Sequence, residues 1–183
     1  MEAEIKFKFV LLGSSPVGKS SLLYRFHDNR FKEDLNPTIG VEFLMKSLEL
    51  NKKAIQLQIW DPTGQQQFMT LIKSYLAGAH GCLIVYDVTN KQSFKEISIW
   101  LEQTKTYTNA DIPIILVGTK SDLDGARKVT TKEGQKMAKT LGTLFIETSA
   151  KDGSNVQQVF LNLVEEALTR HEKQKKQEET KNQ

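Results

Sequence analysis

The stretch from Lys6 to Asn29, "KFKFVLLGSSPVGKSSLLYRFHDN", constrains the fold of this chain more than any other. An apolar run from Lys6 to Leu12 has the character of a strand and ends directly in a glycine loop; beyond the loop, Leu22, Leu23 and Phe26 recur at helical spacing. The loop itself, "GSSPVGKS", satisfies G-x-x-x-x-G-K-[ST]. In that pattern glycines let the backbone close around phosphates, the lysine neutralises them and the serine ligands magnesium. An ordinary glycine turn is the plainer alternative, and the strand before and helix after weigh against it. The candidate phosphate contacts are Gly13, Ser14, Ser15, Pro16, Val17, Gly18, Lys19, Ser20 and Ser21. Pro16 is the anomaly among them, because proline has no amide hydrogen to give.

The rest of the chain continues the alternation. Two strands, "VEFLMKSLEL" and "AIQLQIW", are joined by a short turn at residues 51–53, and in the second Ile55, Leu57 and Ile59 alternate with Gln56 and Gln58. One of its faces therefore meets solvent. The later strands "CLIVYDV", "IPIILVG" and "TLFIETS" are more uniformly apolar, as parallel strands covered on both faces should be. Ser93 with Glu96, Thr130 with Glu133 and Ser154 with Gln157 have capping-box spacing ahead of helical patterns. The expected architecture is α/β: a three-layer domain with a mostly parallel six-stranded sheet and one antiparallel edge strand. Ligands in such sheets bind beyond the C-terminal ends of the strands.

A chain of 183 residues suits one domain, here residues 1–170, followed by a polar tail over 171–183 that has lost the apolar stripe and is expected to fray into solvent, with a solvated helix end as its plainer reading. The net charge of +3 is scattered, with no run dense enough to track a nucleic-acid backbone. The single cysteine, Cys82, lies inside an apolar run, which fits a small buried hydrophobe and a reducing, cytoplasmic compartment. No apolar run reaches transmembrane length, and no cysteine follows Cys82 to carry a prenyl group. A soluble protein, at most peripheral on intracellular membranes, is the expectation, with monomer as the default.

The nucleotide base is addressed by "TKSD" after the strand "IPIILVG" and by "TSAK" after "TLFIE". A carboxylate can accept two hydrogen bonds from the ring N–H and exocyclic amine of guanine, whereas adenine presents the wrong donors. That role falls to Asp122. Lys120 can lay its aliphatic stem along the ring, and the amide of Ala150 can meet the guanine carbonyl while rejecting an amine. Thr119, Ser149 and Lys151 complete the two motifs.

With these motifs in place, the chain resembles a Ras-superfamily small GTPase over about residues 5–170, and within that superfamily it is most similar to the Rab family. "IGVEF", "LQIWD" and "LIVYDVT" are its Rab-like pieces. The resemblance implies GTP or GDP as ligand, magnesium as cofactor, and hydrolysis of GTP. It implies that Phe31 packs against guanine and that Thr38 senses the third phosphate through magnesium. Ser20 would ligand the metal directly and Asp61 through water. Gly64 would offer its amide to the third phosphate, Gln65 would orient the attacking water, and Lys19 would stabilise the developing charge. Phe43, Trp60 and Tyr75 match an aromatic triad that shapes a surface for effectors; exchange and GTPase-activating proteins are further implied partners.

The departures from the family sit at the phosphate end. The second switch has "WDPTGQQQF" where a Rab usually has "WDTAGQERF", so Pro62 and Thr63 stand immediately before Gly64. Pro16 lies where the family offers an amide to the oxygen bridging the second and third phosphates. That bridge gains charge as the bond breaks, so a missing donor should slow turnover more than it weakens binding. If the position requires positive φ, proline cannot adopt it and the loop must remodel. Thr119 replaces the commoner asparagine, a mild loosening. The expected function is a Rab-like switch of low intrinsic GTPase activity that recruits effectors in membrane traffic; the alternative is a hydrolysis-deficient nucleotide-binding interaction module.

Overall fold

A computed structural model describes residues 5–108 and 111–181. The elements run β1 (Ile5–Leu12), α1 (Lys19–Asp28), β2 (Val41–Leu50), β3 (Lys53–Pro62), a 3-10 turn (Gln66–Leu71) leading into α2 (Ile72–Leu76), and β4 (Gly81–Asp87). They continue with α3 (Lys91–Lys95), α4 (Ile97–Tyr107), β5 (Ile114–Thr119), α5 (Thr131–Leu141), β6 (Leu144–Glu147) and α6 (Val156–Lys181). The sheet has six strands in the order β2-β3-β1-β4-β5-β6. Only β2 is antiparallel to its neighbour, as its direct hairpin to β3 requires.

Alternation along the strands divides the core between the two faces of the sheet. Phe7, Phe9 and Leu11 of β1 join Leu83, Val85, Ile115 and Val117 on the face covered by α1 and α6, while Val10, Leu12, Cys82, Ile84 and Leu116 face the helices on the other side. Leu22, Leu23 and Phe26 turn the buried stripe of α1 to the first face, and Phe26 stacks on Phe160 of α6 with ring centroids 4.0 Å apart. Burying a side chain of this size is worth about 1.5–3 kcal/mol, so the pair secures the helix that begins at the glycine loop. In β3, Ile55, Leu57 and Ile59 are buried while Gln56 and Gln58 are half-buried.

The β2–β3 hairpin pairs as far as Val41 with Pro62, and the Thr63 amide donates to the Gly40 carbonyl at 2.8 Å. Opposed residues alternate between hydrogen-bonded and open pairs, so Pro62, next to the bonded Gly40–Thr63 pair, falls at an open position. Its missing N–H costs the hairpin nothing.

Two local expectations are corrected. Thr130 and Glu133 form a capping box, but Ser93 and Glu96 do not. Asn90 is the N-cap of α3, accepting from the amides of Gln92 and Ser93, while the Ser93 hydroxyl donates to the Asn90 carbonyl at 2.8 Å and accepts from Asp87 N at 3.0 Å. Ser154 lies in the turn before α6, and the Gln157 amide reaches instead to the Phe26 carbonyl. The tail is helical to Lys181. Its Lys, Glu and Gln residues favour helix despite the lost apolar stripe, and ion pairs from Glu172 to Lys53 and from Arg170 to Asp111 hold its first turns to the domain.

Candidate nucleotide site

The loops that follow β1, β5 and β6 meet beyond the C-terminal ends of those strands around a cleft of about 400 Å³, closed on a further side by residues 31–38. At one end lie Lys19, Ser20 and Thr38; at the other lie Lys120, Asp122, Ala150 and Lys151.

Backbone geometry builds the phosphate end. The chain leaves β1 through Gly13, where an added Cβ would stand 2.3 Å from the Val85 carbonyl oxygen, so no side chain fits. Gly18, at φ +93°, turns the chain into α1, whose first-turn residues Lys19, Ser20 and Ser21 line the cleft with amides that have no partner within the helix. Positive φ in this loop falls on Gly13 and Gly18 and not on Pro16, whose ring fixes φ on the negative side.

Lys19 is buried and donates to the Gly13 carbonyl at 2.9 Å. Burial lowers its pKa, and the nearby Asp61 opposes that shift. The Ser20 hydroxyl stands 2.8 Å from that of Thr38 and donates to Asp61 Oδ2. Residues from α1, the following loop and β3 are thus gathered at one point. Asp61 Oδ1 is buried and accepts no hydrogen bond among the described residues. Burial pushes the Asp61 pKa up to about 6, against the pull of Lys19 and Ser20. Two hydroxyls and a carboxylate with a free buried oxygen are the hard oxygen donors that suit magnesium.

The second switch rests directly on the glycine loop. Ser15 N donates to the Gly64 carbonyl at 3.2 Å, and a Cβ on Gly64 would stand 2.3 Å from the Gly13 oxygen. Gly64 lines the cleft. Gln65 does not: with Ser14, Met69, Glu96 and Trp100 it lines a neighbouring cavity that shares Ser15 and Gly64 with the cleft. Thr63 is buried, and its hydroxyl accepts from Gln65 N at 3.4 Å.

Side chains build the base end. The Thr119 hydroxyl lies 2.6 Å from the Val17 carbonyl and 3.0 Å from that of Tyr86, so it ties β5 to the glycine loop. Lys120, at φ +60°, pairs with Asp87 at 2.6 Å and donates to the Pro16 carbonyl at 3.3 Å, bridging the two ends. Ser149 lies just behind the cleft wall and donates to Asp122 Oδ1 at 2.7 Å, orienting the carboxylate proposed to read guanine. Phe31 lines the cleft, and Lys151 pairs across it with Glu33 at 2.8 Å.

Several residues at the site had no signal in the sequence. Glu96 accepts from Ser14 Oγ, and Trp100 Nε1 donates to the same oxygen at 3.3 Å, so α4 and the residue before it hold the back of the glycine loop. These contacts join residues more than eighty positions apart, and no local spacing announces them. Leu123 follows "TKSD" and could have been found from its position beside that motif.

Beside the cleft, Phe43 and Trp60 are register partners across the hairpin with rings 4.8 Å apart, and Tyr75 of α2 follows at 6.1 Å from Trp60. Phe43 and Ile39 are exposed.

A model of the Ras family matches residues 8–169. The chain is 46% identical over 169 residues to the Ras-related protein RabC of Dictyostelium discoideum, an alignment that covers 91% of this chain and 86% of that protein. With its glycine loop, its guanine motifs and this likeness over nearly its whole length, the chain belongs to the Ras family and is a Rab-like small GTPase.

Proposed function

We infer that the protein is a GTP-binding switch in membrane traffic that hydrolyses GTP to GDP, the activity of the Rab-like GTPases to which it belongs. The convergence of Ser20, Thr38 and Asp61 beside Lys19, with Asp122 and Ala150 at the opposite end of one cleft, carries this reading to its own residues.

In this reading the phosphates lie against the amides of the glycine loop and the first turn of α1, and Lys19 gives up the Gly13 carbonyl to neutralise them. Ser20 and Thr38 would hold magnesium, with Asp61 behind them; the metal supplies charge that stabilises the phosphate oxygens. Asp122 reads the ring N–H and amine of guanine, and Ala150 N reads its carbonyl. Gly64 offers its amide to the third phosphate. Gln65 orients the water, which requires the second switch to swing from the neighbouring cavity toward the cleft. Pro16 offers no amide to the bridging oxygen, so turnover is slow while binding is retained.

Effectors, exchange factors and GTPase-activating proteins are the partners that the family implies. The exposed Phe43, backed by Trp60 and Tyr75, is where an effector would dock, and the protein acts as a monomer. Among the described residues no helix is long and apolar enough to cross a membrane.

The test is to denature freshly purified protein and identify what it releases by chromatography. Guanine nucleotide near one per chain, with much of it GTP, is the expected result; its absence overturns the reading. A Gln65→Leu variant should hydrolyse bound GTP more slowly still. Equal rates would remove Gln65 from the mechanism and leave the interaction module in its place.

A further inference from the structure

Arg25 belongs to none of the motifs, yet its guanidinium joins three pieces of the base end. Nε donates to the Ala150 carbonyl at 2.6 Å and Nη2 to the Lys151 carbonyl at 2.8 Å. Nη1 donates to both the backbone and side-chain oxygens of Asn29, each at 2.9 Å. Asn29 caps α1 in the left-handed conformation, φ +60°, and starts the chain toward Phe31, whose ring centre lies 5.9 Å from the guanidinium carbon.

The loop that carries Ala150 is held at its base and, at Lys151, by the exposed pair with Glu33. Ser149 N donates to the Ser154 carbonyl at 3.0 Å and Gly153 N to the Ser149 carbonyl at 2.9 Å, which closes its two ends together. Its crown, Ala150 and Lys151, is gripped from outside by the planar fork of Arg25, which can meet two successive carbonyls at once as a lysine ammonium cannot. The same helix begins with Lys19 and Ser20, so Arg25 references the base-reading loop to the element that bears the phosphate contacts.

We propose that Arg25 is a positioning residue for guanine recognition, holding Ala150 so that its amide meets the guanine carbonyl and slowing nucleotide release by that means. This deepens the nucleotide reading of the cleft and rests on it. The effect belongs to one atom of the base, which separates it from a general loosening of the fold.

The experiment compares three diphosphates on the full chain by competition against fluorescent GDP: GDP itself, IDP, which keeps the carbonyl but lacks the amine, and 2-aminopurine riboside diphosphate, which keeps the amine but lacks the carbonyl. The 2-aminopurine base also lacks the ring N–H that Asp122 reads, a loss common to both proteins, so each ligand is compared between the unmodified chain and the variant. In Arg25→Ala, GDP and IDP should each weaken about tenfold, as expected for loss of charge-assisted hydrogen bonds. The 2-aminopurine compound should change by less than about twofold, since the atom that Ala150 reads is already gone. Equal weakening of all three, or no weakening of GDP, overturns the proposal. Arg25→Lys keeps the charge without the fork and should retain most of the loss for GDP and IDP; full recovery would assign the effect to charge alone and also overturn it. Should Arg25→Ala fail to fold, the same three-ligand comparison in Arg25→Lys decides the matter. Failure of the unmodified chain to bind GDP would instead overturn the nucleotide reading beneath it.

Discussion

At the base end of the cleft, side chains fasten the loops: Ser149 to Asp122, Arg25 to Ala150 and Lys151, Thr119 to Val17. At the phosphate end, backbone groups do most of the work, with Gly13, Gly18 and Gly64 allowing close approach and peptide amides left to face a ligand. The difference explains where substitution is felt. A side-chain tie can be made by any residue with a donor, as Thr119 does here, whereas an amide can be deleted only by proline, and in the function proposed above Pro16 deletes one where charge would develop. Recognition and chemistry can therefore diverge within a single cleft.

The strongest way to break this contrast is at Asp122. Asp122→Ala should weaken GDP by about three orders of magnitude, through loss of two charge-assisted hydrogen bonds, measured by fluorescence titration. A loss of only a few-fold would mean that the base end does not carry recognition. Next in size is the phosphate end: Pro16→Gly restores an amide and should raise single-turnover GTP hydrolysis by about a hundredfold, with a much smaller change in GDP affinity. Parallel changes in both would show that binding and chemistry are not separable there.

A control outside the cleft comes third. Thr130→Ala removes the capping box of α5 and should cost about 1 kcal/mol of stability, read as a lower melting temperature with nucleotide affinity unchanged. The companion carboxyl, Glu133, is held down to about 2, first by Lys91 and then by the Thr130 amide. Its depressed value means that its contribution is present above the ordinary glutamate range and lost as pH falls toward about 2; alanine keeps both the Lys91 contact and the backbone amide, so that acid loss should appear in the variant as well. The smallest effect is expected at Thr119. One hydroxyl proton serves two carbonyls there, and Thr119→Asn offers two N–H groups, which should slow GDP release by about threefold in a stopped-flow chase.

What could be read from the chain alone follows the range of the forces involved. Strands and helices announce themselves because burial imposes a period on nearby residues, and the glycine loop because phosphate chemistry demands fixed spacing. Asn90 outcompeted Ser93 as the cap of α3 because the Ser93 hydroxyl is already engaged with the backbone at the end of β4, a contact set by the fold rather than by spacing. Arg25 and Glu96 were silent for the same reason: each acts on a loop far along the chain. The helical course of residues 171–181 has no apolar period to mark it, and Lys53 and Asp111 supply polar anchors that leave no trace in local spacing.

α6 starts beside the base-reading loop, where Asn155 donates to the Glu147 carbonyl, and by Glu172 it has reached Lys53 at the far edge of the sheet. Its 26 residues, at the rise of an α-helix, measure about 39 Å. The helix is thus a built-in spacer: it carries the chain from the cleft side of the sheet to the opposite side, where β3 begins, and leaves the mouth of the cleft uncovered.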